Sequence, residues 1–137
     1  MSLIIRFTLS ALAGSMFIHP AVAASTSCTG VDQELTNQRK SEYAEIISRS
    51  LEGKVKPAKV EVDSFMQSGN WTVVYASTPV ADPGYFFFDN SSGKQTFKDV
   101  WAGMADDGDG PKLVEFAKKL GANEKIAACF SKVVMSD

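Results

Sequence analysis

Two cysteines, one histidine and a scatter of carboxylates are what this 137-residue chain offers for chemistry. The histidine, His19, falls in an N-terminal stretch laid out like a signal peptide. Arg6 is the early cation, residues 7–18 are the apolar run, and Ala21-Val22-Ala23 is the small-residue exit. Cleavage after Ala23 makes 1–23 the leader and 24–137 a single exported domain without an imidazole. Ser-His-Asp and Cys-His nucleophile systems need that imidazole. Zinc sites of His or mixed His/Cys type lose their ligands with it. Cys28 and Cys129 are not in a Cys-x-x-Cys motif, which excludes a thioredoxin-like redox pair. In the periplasm or outside the cell, two lone thiols are expected to pair as a disulfide.

The carboxylates form two candidate groups. Asp106, Asp107 and Asp109 lie in an acidic loop, but aligning Gly110 with the invariant glycine of an EF-hand puts Ala105 first and Phe116 last. No metal site and no cofactor is read from the chain, and the loop's charge suits the N-terminus of a helix opening at Pro111. Glu61, Asp63, Asp89 and Asp99 fall on expected strands. Two of them could meet as an acid/base pair for glycoside cleavage, or they mark the wet face of an antiparallel sheet. No catalytic residue is assigned.

Aromatic residues are the stronger signal. Trp71, Tyr75, Tyr85, Phe86, Phe87, Phe88, Phe97 and Trp101 fall on three neighbouring strands, and alternation sends them to both faces. One helix layer covers one face. The other is either roofed by a second helical segment or left as a partner or ligand surface. The expected contact residues are Tyr75, Asp82, Tyr85, Phe87 and Trp101. Residues 78–84 read as a loop stiffened by Pro79 and Pro83, a shape suited to presentation to a partner.

The positioning elements follow from periodicity. Residues 31–53 read as one helix, with Thr29 and Asp32 resembling a capping box and Gly53 as the stop. Strands are expected at 59–67, 71–77, 85–89 and 94–104, the first breaking phase at Phe65-Met66 in the manner of a bulge. Pro111 opens a helix that Gly121 stops, and Asn123 caps a final helix striped by Ile126, Cys129, Phe130, Val133 and Val134. The fold class is α+β: an N-terminal helix, an antiparallel three- or four-stranded meander, two C-terminal helices and one disulfide.

The run from Lys59 through Ser68-Gly69-Asn70-Trp71 to Tyr75 resembles the central hairpin of small exported bacterial proteins with a cystatin-like or NTF2-like α+β layout. The resemblance covers roughly residues 35–103 and implies one long helix followed by a curved meander. Such folds host many roles.

Removing the leader takes out Arg6 and moves the formal net charge from −2 to −3. That argues against nucleic acid and against an anionic membrane surface. No other segment is apolar enough to insert stably in a bilayer. The first reading is therefore a periplasmic binding protein whose partner is another protein of the cell envelope, of inhibitor or immunity type. A carrier or enzyme with a pocket between the sheet and the first helix is the second. A self-associating envelope component is the third, and the oligomeric state is left open.

Overall fold

A computed structural model describes residues 26–137; the signal-peptide reading and His19 lie outside the described residues. The order is helix α1 (Asn37–Ser50), strands β1 (Glu61–Ser68), β2 (Trp71–Thr78), β3 (Ala81–Asp89) and β4 (Thr96–Ala102), then helices α2 (Gly110–Leu120) and α3 (Glu124–Ser136). The strands form one antiparallel sheet in the order β1-β2-β3-β4. This is the expected α+β meander.

Helix α1 begins six residues later than expected. The segment before it is held extended, because Asp32 pairs with Gln67 through Asp32 N–H to Gln67 O at 2.9 Å and Gln67 N–H to Asp32 O at 2.8 Å. Asp32 therefore caps nothing at Thr29. Its carboxylate accepts from the Glu34 N–H at 2.9 Å and pairs with Arg39 at 2.6 Å, and Arg39 also lies over the Phe65 ring at 4.2 Å. Thr36 is the true N-cap, accepting from the Arg39 N–H at 3.1 Å.

Strand β1 does carry a bulge, but between Val62 and Ser64 rather than at Phe65-Met66, which pair in regular register with Val74 and Val73. The bulge turns Val62 and Phe65 toward α1 and Met66 toward the other face. Residues 78–84 do not form a protruding loop. Thr78 pairs with Ala81, so Pro79 and Val80 are the whole turn, and Asp82 and Pro83 belong to β3. The Ala81–Tyr85 stretch continues the ladder, and Pro83 falls at the register shift between Gly84 and Ala81, where a missing N–H is tolerated.

Both faces of the sheet are roofed. Tyr43, Ile46 and Ile47 of α1 pack with Phe65, Val74, Phe86 and Phe88 on one face. Leu113, Ala117, Ile126 and Phe130 of α2 and α3 pack with Met66, Trp71, Val73 and Phe87 on the other. The two central strands are thus buried on both sides, which is why Phe86-Phe87-Phe88 is apolar without alternation. Each such phenylalanine contributes about 1.5–3 kcal/mol by leaving water. Most of the aromatic surplus is core. The side chains between α1 and the sheet pack the space directly beneath the helix, and open hollows of about 470 and 380 Å³ lie along its flanks, the first between Ile46 and Gln95 and the second between Ala44 and Val60.

Cys28 and Cys129 are disulfide-bonded, tying the segment before α1 to the buried face of α3. Asn123 fixes the start of α3 twice over: its Oδ1 accepts from the Ile126 N–H at 2.9 Å and its Nδ2 donates to the Ser68 carbonyl at 2.8 Å. Among the described residues no helix is long and apolar enough to cross a membrane. Strand β4 is an edge, and the Val100 N–H there donates to the Asp99 carboxylate at 2.8 Å.

Candidate functional site

Sheet register places three aromatic residues in one row. Tyr75 of β2 lies opposite Tyr85 of β3, and Tyr85 lies opposite Trp101 of β4. Directly opposed residues in an antiparallel ladder share a face, and this row is on the α2–α3 side. The Tyr75 and Tyr85 rings are 4.7 Å apart. The row's inner side meets the core through Tyr85 on Phe130 at 5.4 Å and Trp101 on Phe116 at 5.2 Å.

Helix α3 ends at Ser136, and its last residues border the row. There the surface opens into two adjoining hollows of about 230 and 190 Å³, which share Tyr75, Tyr85, Gly103 and Met104. Asp82, Pro83, Gly84 and Trp101 line the first; Ala105, Val134 and Asp137 line the second. Met104 stands almost wholly in solvent, 97% exposed, at this groove.

Gly84 lets β3 and β4 approach beneath the groove. A Cβ there would stand 2.8 Å from Val100 Cγ2 and 2.9 Å from the Trp101 carbonyl oxygen, closer than real Cβ atoms come. Gly103, with φ +97°, turns the chain at the end of β4.

The Tyr85 hydroxyl donates to Asp137 Oδ2 at 2.7 Å. Burial pushes the phenol well above its usual range, and the bond to Asp137 and the charge of that carboxylate push the same way. Tyr85 is therefore a neutral donor whose proton is already committed. A phenol held protonated is not a base. The arrangement offers ring faces and carboxylate acceptors, which is equipment for recognition.

Of the expected contact residues, Tyr75, Asp82, Tyr85 and Trp101 converge on this groove. Phe87 does not. Its side chain is completely buried against Phe116 and Phe130, so it supports the groove from below. The alternation that puts Phe87 on the same face as Tyr85 also moves it two residues inward, under the helices. Met104 and Asp137 were not foreseen. Met104 carries a weak signal, a large apolar residue between a strand and an acidic loop. Asp137 carries none, because it reaches Tyr85 across 52 residues of sequence.

The other carboxylates are dispersed. Glu61 sits opposite Ser77 at one end of the sheet and Asp89 opposite Trp71 at the other. Asp63 occupies the β1 bulge, and Asp99 lies opposite Phe87 on the edge strand. Asp109 binds Lys112 at 2.7 Å and the Asp106 N–H at 2.9 Å. Among the described residues no group of three or more His, Cys, Asp or Glu is placed to hold a metal ion.

No protein-family model, curated protein or solved structure matches this chain.

Proposed function

We propose that this chain acts by binding, as an exported protein that engages another protein of the cell envelope through the Tyr75–Tyr85–Trp101 groove. The carrying observation is the register row itself. Tyr75 and Trp101, continuous with the core, are partly exposed on either side of the buried Tyr85, beside Val134 and Asp137. Aromatic side chains anchored from below by a packed core are pre-organised contacts and lose little entropy on association. The disulfide supports a working place outside the reducing cytoplasm. A stable complex buries about 1,200–2,000 Å² in total. The groove is therefore an anchoring pocket within a larger interface, as in inhibitor or immunity-type complexes.

The test is capture by the oxidised protein from envelope extract, followed by direct binding of the purified captured protein. Met104→Lys places a positive charge at the exposed edge of the groove without touching the core. Loss of binding in Met104→Lys and Tyr75→Ala is the expected result. Binding that is equal in wild type and both variants overturns the proposal.

A further inference from the structure

We infer that the group this groove takes from its partner is an arginine side chain; the inference rests on the protein-binding reading and names the chemistry of its contact. Two carboxylates, Asp82 and Asp137, are the charged side chains lining the hollows, and among the described residues no cation lines them. Most of the donors are spent or hidden. The Tyr85 O–H is given to Asp137, and the Trp101 Nε1 is buried in the wall without a partner. An anion or an acceptor-rich ligand would meet two carboxylates against a single phenol donor, that of Tyr75.

A donor-rich cation meets the opposite situation. Guanidinium carries five N–H donors and no acceptor. It lies flat on aromatic faces, and the half-buried rings of Tyr75 and Trp101 supply two, with Tyr85 buried between them. It is also more weakly hydrated than an ammonium, so it enters a half-dry groove at lower cost. Its alkyl stem fits against Met104, Pro83 and Val134, which are apolar. Asp82 is exposed at the rim of the first hollow, where its carboxylate can form a forked pair.

The experiment is an NMR titration of the oxidised chain with N-acetyl-arginine N-methylamide and with its citrulline counterpart, which has the same shape and no charge. The Trp101 indole and the backbone amides of residues 103–105 are the reporters. The expected result is saturable shifts with the arginine probe and binding about tenfold weaker with citrulline, the scale of one cation–aromatic contact plus one charge-assisted bond. Asp82→Asn with Asp137→Asn removes that difference. Equal shifts from both probes overturn the inference, as does spermidine competing more tightly than the arginine probe, which would make a free polyamine the occupant. If the captured partner is retained by the doubly amidated variant and lost by Met104→Lys, the arginine falls and the protein-binding reading stands. If capture ignores every groove variant, the protein-binding reading falls on its own.

Discussion

Reducing the Cys28–Cys129 bond should cost this protein much of its stability through the unfolded chain rather than through the folded one. The bond spans a sequence separation of 101 residues. Releasing a loop of that length returns about 4.7 kcal/mol of conformational freedom to the unfolded ensemble in the chain-entropy model. A small domain has about 5–15 kcal/mol in all. The folded state should change little. Cys129 stays buried on α3, and the strand-like segment from Asp32 onward remains held by its two bonds to Gln67 and by Arg39. Only residues 26–31 lose their anchor. The assay is urea unfolding of one preparation, oxidised and then reduced with a phosphine. A loss of about 4–5 kcal/mol corresponds to a midpoint fall of about 3 M for a slope near 1.5 kcal/mol/M. Amide spectra before unfolding should differ only near residues 26–31 and Cys129. A loss below about 1 kcal/mol refutes the loop-entropy reasoning. So do shifts spread through the sheet, which would place the effect in the native state.

Three further outcomes follow from single contacts. Asn123→Asp keeps the cap on the Ile126 N–H but sets a carboxylate against the Ser68 carbonyl; a loss of about 2 kcal/mol in urea unfolding is expected, with Asn123→Ser losing less. Asp99→Ala uncovers the Val100 N–H on the edge strand, and sedimentation velocity should then detect self-association that wild type lacks at the same concentration. Tyr85 has a folded-state pKa raised above that of a free phenol, so its contribution is complete below about pH 10 and is lost as pH rises through the folded value. Unfolding midpoints should accordingly fall more steeply above about pH 10 in wild type than in Tyr85→Phe, and parallel curves would contradict the burial argument.

Much of the fold was legible because its signals are local. Pro111, Gly121 and Asn123 punctuate α2 and α3 where the sequence puts them. The bulge in β1 showed itself as a break in alternation, since one extra residue shifts every later side chain to the other face. The errors lie where a distant partner overrules a local preference. Thr29 and Asp32 have the spacing of a cap, yet Gln67 claims the backbone of Asp32. Pro79 and Pro83 mark a loop, yet the ladder with β2 absorbs all but two of its residues.

The candidate groove divides in the same way. Residue type and alternation brought Tyr75, Tyr85 and Trp101 forward, because aromatic excess on neighbouring strands must be covered or used. Sequence by itself determined the order of helices and strands, the pairing partners of the cysteines and the two-faced aromatic sheet, all of which follow from side-chain period and from there being two cysteines in the chain. Only the tertiary structure decided which rings are core and which are surface. That depends on which strand positions α2 and α3 lie over, and burial is a property of the covering element rather than of the residue covered. Phe87 lies under the roof and Tyr85 at its edge, two residues apart on one strand face.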